Sequence, residues 1–90
     1  MSKAMNPEVI AVNVHSGFCL HVTFENGENK LFDVHPYLHL PVFQRLKIAG
    51  YFDRAHVENG TVAWDDQLDL SPDTLYLQGT PIGFALPVNK

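Results

Sequence analysis

From Phe18 to Glu25 apolar and polar residues alternate without a break, and Asn26-Gly27 follows at once. Phe18, Leu20, Val22 and Phe24 fall on one side; Cys19, His21, Thr23 and Glu25 fall on the other. Strict period-two alternation is the mark of a strand with one face in a core. Asn-Gly tolerates the left-handed backbone of a tight turn, so the chain is expected to fold back there as a hairpin. The charges argue for a register. A two-residue loop would set Glu25 opposite Glu28, and Leu20 opposite Asp33, both unfavourable across a ladder. A three-residue loop with a bulge at Gly27 moves the pairing by one. Phe24, Val22 and Leu20 then share a face with Phe32 and Val34, so the bulged turn is expected.

The neighbouring segments extend this hairpin. Glu8 to His15 is rich in valine and isoleucine on both faces, which suits a strand partly buried on both sides. Ser16-Gly17 is a turn signal. His35-Pro36 ends the third strand, because proline cannot donate to the ladder. Pro41 opens a short helix with an apolar stripe of Val42, Phe43, Leu46 and Ala49, while Gln44, Arg45 and Lys47 face water. Gly50 is the expected left-handed terminator, with Tyr51 packing back on Leu46. Phe52 to Asn59 reads as extended, and Asn59-Gly60 as a second turn, giving a hairpin of 55–58 with 61–65. Ser71 caps a second helix, Pro72 takes its first position, and Asp73 suits its positive end. Leu75, Tyr76 and Leu77 bury its inner side, and Gly79 stops it.

The fold class that follows is α+β: a small antiparallel sheet, made of a three-strand meander plus a second hairpin, with two short helices. Ninety residues make one core, assigned to residues 1–79. Residues 80–90 form an apolar tail in which Ile82, Phe84, Leu86 and Val88 alternate, a strand pattern that is costly to leave exposed. The tail is a candidate edge strand or dimer arm, and Pro81 and Pro87 confine it to edge pairing.

Composition narrows the function classes. The chain is 46% hydrophobic and 18% charged, which is ordinary for a globular protein. A single cysteine, Cys19, cannot form an internal disulfide, which suits a reducing cytoplasm. The start is polar rather than a signal stretch, and no apolar run approaches the roughly 20 residues of a membrane span. The net charge of -4 is uneven. Charges balance over residues 1–52, whereas Asp53, Glu58, Asp65, Asp66, Asp69 and Asp73 face Arg54 alone. Such acidity repels phosphate backbones, so no nucleic acid is expected as a partner, and a basic protein surface would be attracted.

No catalytic constellation stands out. His35 and His39 have the four-residue spacing of ligands on one helical face, but Pro36 and the lack of a third ligand argue against a metal. The aspartates near Trp64 do not have calcium-loop spacing. Asp73 is explained by the helix start, and Asp69 reads as a turn residue. Cys19 beside His21 sits on a regular strand without an oxyanion donor, and an inert thiol is the simpler reading. No cofactor is expected. Trp64 and Tyr76 read as structural anchors, together with Gly27, Gly50, Ser71 and Pro72.

Several blocks occur in one order: Phe24-Glu-Asn-Gly-Glu28, Phe32-Asp-Val34, Pro41-Val-Phe43 with Leu46, Phe52, Gly60-Thr-Val-Ala-Trp64, and Leu68-Asp-Leu-Ser-Pro-Asp-Thr-Leu-Tyr76. This order resembles the small bacterial family known as domain of unknown function 2442, over about Val9 to Tyr76. Asp65 follows the tryptophan where the family usually has proline or a similar small residue. The resemblance implies an α+β domain and no established activity, so no catalytic residues carry over. It also implies that some relatives carry an added helix-turn-helix domain. Others look as if they are encoded beside a second short protein, as in toxin–antitoxin systems.

The expected function is therefore a non-enzymatic protein-interaction domain, the acidic partner of a small basic protein. Its candidate surface is Asp65, Asp66, Asp69, Ile82, Phe84 and Leu86, with the tail available for homodimer formation. The alternative is a small-ligand-binding or enzymatic domain that uses the aspartates near Trp64.

Overall fold

A computed structural model describes residues 6–82 of the chain, and Phe84, Leu86 and Val88 of the tail lie outside it. Three strands form the expected meander: β1 (Val9–His15), β2 (Cys19–Phe24) and β3 (Asn29–Asp33). β2 pairs with β3 so that Leu20 faces Phe32 and Val22 faces Lys30. The loop between them is Glu25-Asn26-Gly27, closed by the Gly27 N–H on the Phe24 carbonyl at 2.9 Å. Gly27 has φ +91°, a conformation that side chains with a Cβ rarely adopt. The bulged register thus forms, and it keeps Glu25 and Glu28 apart. Phe18, placed on the strand by its alternation, instead sits in the β1–β2 turn with φ 59°.

The chain then runs through three 3-10 turns, His35–Tyr37, Pro41–Lys47 and Phe52–Arg54. The second replaces the expected α-helical stripe. A 3-10 turn eclipses residues three apart, so Phe43 and Leu46 stack into the core. Val42, which an α-helix would set above Leu46, is 48% exposed, and Ala49 faces solvent too. The turn ends at Ile48, with ψ 132°, two residues before the left-handed Gly50. Phe52–Arg54 was expected to be extended; it is the third of these turns.

A second sheet follows, built from β4 (His56–Glu58), β5 (Thr61–Asp65) and β6 (Leu68–Leu70) in that order. β4 and β5 are the expected hairpin. β6 is additional, and it places Asp69 on a strand opposite Ala63 rather than in a turn. Helix α1 (Pro72–Gln78) starts where the Ser71 hydroxyl accepts the Thr74 N–H at 3.0 Å. Leu75 is fully buried beneath it, whereas Leu77 is 67% exposed and points away from the core. Gly79 ends the helix with an ordinary extended backbone. Its role is close approach: a Cβ there would lie 2.6 Å from the Leu75 carbonyl oxygen.

Thr80–Pro81 form β7, which joins the free edge of β3 opposite Leu31 and Lys30. The first sheet thus has the order β1-β2-β3-β7. The Ile82 N–H continues this pairing onto the Asn29 carbonyl at 3.1 Å. One core joins both sheets, centred on Leu20, Val22, Phe24, Phe32, Trp64 and Leu75, each at most 1% exposed. No helix among the described residues is long and apolar enough to cross a membrane.

Candidate functional site

The β5–β6 turn is where the aspartates begin. Asp65 ends β5 and pairs with Leu68 across the two-residue turn Asp66-Gln67. Its Oδ1 accepts the Gln67 N–H at 2.8 Å, which closes the turn. Its Oδ2 accepts from the Arg45 guanidinium at 2.8 Å and from the Tyr51 hydroxyl. Both donors come from the 3-10 region, so Asp65 clips that region to the second sheet. The Tyr51 hydroxyl, the Gln67 amide and the Arg45 guanidinium together hold the carboxyl at about 2, below its ordinary 3.8.

The sign of the pH effect follows. A carboxyl with a depressed folded-state value favours the fold above about pH 4, and that contribution is lost as pH falls through about 2. In a carbon-detected titration, the Asp65 carboxyl is expected to have its midpoint near 2. Asp65→Asn should flatten the acid limb of the melting-temperature profile below pH 3.8. An ordinary midpoint with an unchanged acid limb would refute the clip.

Beside the clip lies an open groove of about 500 Å3 lined by Arg45, Arg54, His56, Glu58, Trp64, Asp65, Asp66 and Gln67. His56 is held at both nitrogens: Nδ1 lies 2.9 Å from the Arg54 carbonyl and Nε2 3.0 Å from the Glu58 carboxylate. The Arg54 carbonyl, and then Glu58, favour its protonated form and raise its pKa. Arg54 stacks over the Tyr51 ring at 4.9 Å. The groove floor is Trp64, which is 1% exposed and donates Nε1–H to the Phe52 carbonyl at 3.0 Å.

The candidate residues do not converge on a reacting centre. Asp66 is exposed at the groove rim, and Asp69 is exposed on β6, outside the groove lining. Asp73 accepts from the Asn6 side chain at 2.9 Å. Ile82 is half-buried beside β3, on the other sheet. Tyr76 packs edge-on against Phe24 and donates its hydroxyl to Glu28 at 2.9 Å, tying α1 to the bulged hairpin. No group of three or more His, Cys, Asp or Glu side chains among the described residues is placed to hold a metal. His35 bonds the Asp33 carboxylate at 3.1 Å. Burial pushes the Cys19 thiol up, and the Asp33 carboxylate adds to the shift, so the nucleophilic thiolate is disfavoured.

Three side chains that tie elements together lacked a signal in the motifs. Arg45 and Tyr51 meet Asp65 across 20 and 14 residues. Lys30 is 8% exposed on the core face, and its Nζ reaches the Tyr76 carbonyl at 2.5 Å. The alternation that set Phe32 and Val34 inward also pointed Lys30 inward; its charge concealed the fact.

The protein-family model described as Protein of unknown function (DUF2442) matches residues 9–81. No curated protein matches the chain. Among solved structures, the chain is similar to the crystal structure of "Putative DNA Binding Protein NE0471" from Nitrosomonas europaea ATCC 19718. The TM-score is 0.74 at 26% identity, covering 87% of this chain and 52% of that one. The chain thus spans about half the length of that protein.

Proposed function

This chain belongs to the family described as Protein of unknown function (DUF2442), and from that premise we propose that it is a non-enzymatic protein-interaction domain. It binds a small basic protein and serves as the acidic member of the pair. The observation that supports this reading is the dispersal of the aspartates. Asp65 is taken up by its clip, while Asp53, Asp66 and Asp69 stand in solvent without an ion-pair partner among the described residues. Exposed like charges on separate elements make a surface field rather than a reaction centre. The share of the Nitrosomonas europaea protein that is matched fits a module joined to further chain. DNA binding is named for that protein alone; here the net charge of -4 opposes a phosphate backbone.

Paired charge reversal tests the proposal. Asp66→Lys with Asp69→Lys is expected to weaken capture of the basic partner by about tenfold or more at low salt. The melting temperature should stay near that of the parent, since both side chains are exposed. Raising the salt should weaken the parent complex in the same direction. Capture that is indifferent to both changes would overturn the reading.

A further inference from the structure

The tripeptide Glu-Asn-Gly occurs twice, at Glu25-Asn26-Gly27 and at Glu58-Asn59-Gly60, and both copies sit at a hairpin tip. Local sequence therefore treats the two asparagines alike; the fold does not. At the first copy Asn26 is held at both ends of its amide. Its Nδ2 donates to the Glu28 carboxylate at 3.1 Å, and its Oδ1 accepts the Glu28 N–H at 3.0 Å. The Gly27 N–H is also engaged, donating to the Phe24 carbonyl at 2.9 Å. The second copy forms a two-residue turn between Glu58 and Thr61, with φ 52° at Asn59 and 79° at Gly60. There the Asn59 side chain is exposed. Among the described residues, neither it nor the Gly60 N–H has a hydrogen-bond partner. The tip is tied through the Gly60 carbonyl instead, which accepts the Val9 N–H at 2.8 Å. β4, which leads into the tip, is three residues long and exposed throughout, so local opening costs little.

We propose that Asn59 is a site of spontaneous deamidation through a succinimide, and that the fold protects Asn26 from the same reaction. The Gly60 nitrogen attacks the Asn59 Cγ. The new N–Cγ bond closes the ring; the Cγ–Nδ2 bond breaks, and the amide leaves as ammonia with the proton of the Gly60 N–H. Water then opens the ring, its hydroxyl going to a carbonyl carbon and its proton to the nitrogen. Cleavage of the N–Cγ bond gives aspartate at position 59. Cleavage on the main-chain side gives isoaspartate, with the chain routed through the former side chain. Glycine suits the first step because it has no Cβ to crowd the nitrogen. At Asn26 the same ring forms only after the bonds to Glu28 and Phe24 break. The other asparagines of the described segment precede Pro7, Val14 and Lys30, which lack an N–H or bring a side chain against the ring. Either product places a further carboxylate next to Glu58, in the acid-rich half of the chain. Isoaspartate also lengthens the turn by a backbone carbon, beside the carbonyl that ties this hairpin to β1. None of this depends on the basic partner proposed above.

The test is to age the folded full chain in mildly alkaline buffer, digest it, and follow each asparagine by fragment mass. The gain in mass that turns an amide into an acid is expected at Asn59 about tenfold or more faster than at Asn26, because hydrogen bonds of ordinary strength must first break at Asn26. In denaturant the two rates should converge, since the tripeptides are the same. Equal rates in the folded chain, or Asn26 leading, overturn the proposal. So does the absence of conversion at Asn59. A difference that persists in denaturant overturns it as well, because the flanking residues and not the fold would then be its source.

Discussion

Trp64→Ala is expected to cost about 3–5 kcal/mol of folding free energy, the range for removing a large buried aromatic. The indole is 1% exposed, stacks on Phe52 with centroids 5.8 Å apart, and donates to the Phe52 carbonyl. Alanine leaves a cavity where the second sheet meets the third 3-10 turn, and also leaves that carbonyl without its donor. A domain of this size has about 5–15 kcal/mol in total, so the variant should be close to half unfolded at the low end. Each kcal/mol moves the midpoint by about 4–8 °C in a domain this small. Circular dichroism is the suitable measurement, because the substitution removes the fluorophore. Trp64→Phe separates the terms: it restores ring area but not the N–H, and should cost about 1–3 kcal/mol. A loss below about 1 kcal/mol for the alanine variant would mean that Trp64 does not join the two sheets.

The second large effect is expected at Lys30. Its position opposite Val22 faces the core, and its stem lies under the end of α1. The ammonium donates to the Tyr76 carbonyl and sits 3.7 Å from the centre of the Tyr76 ring. The last carbonyls of a helix lack partners within the helix and carry its negative end, so a cation is well placed there. Lys30→Met keeps an unbranched apolar stem and removes the charge. Leaving the carbonyl unpaired and losing the ring contact should together cost about 2–4 kcal/mol in urea unfolding. The slope against denaturant should not change, since the area exposed on unfolding is similar. A stability equal to the parent's would show that water replaces the ammonium at that carbonyl.

How far the sequence reached can be judged from these same residues. The bulged hairpin was legible because Glu25 and Glu28 make the competing register unfavourable, a purely local argument. The start of α1 was legible because Ser71, Pro72 and Asp73 each satisfy one requirement of a helix end. β6 was not, since Leu68-Asp-Leu70 is too short to display a period. The choice of a 3-10 turn for Pro41–Lys47 was hidden as well. Phe43 and Leu46 satisfy the three-residue spacing of both helix types, and the exposure of Val42 and Ala49 separates them. Asp65 posed the hardest case. Its place among the aspartates near Trp64 suggested a ligand or reaction site, yet its partners Arg45 and Tyr51 are distant in sequence and follow no spacing rule. Tertiary clips of this kind depend on how elements dock, which local pattern does not encode.

The closure of Lys30 under α1 also bears on how the chain is made. The β1–β2–β3 meander consists of neighbours in sequence and can form early in synthesis. The carbonyl that receives the ammonium lies 46 residues further on. Until α1 and β7 have left the ribosome, the inner face of β3 stays open, with a lysine among Val22, Phe24 and Phe32 in place of a finished core. An arrested product ending before Leu75 therefore displays apolar strands with an unmatched edge, the kind of surface that chaperones and proteases recognise. The contact that Lys30 makes with Tyr76 therefore belongs to the last stage of folding, when α1 docks on the meander.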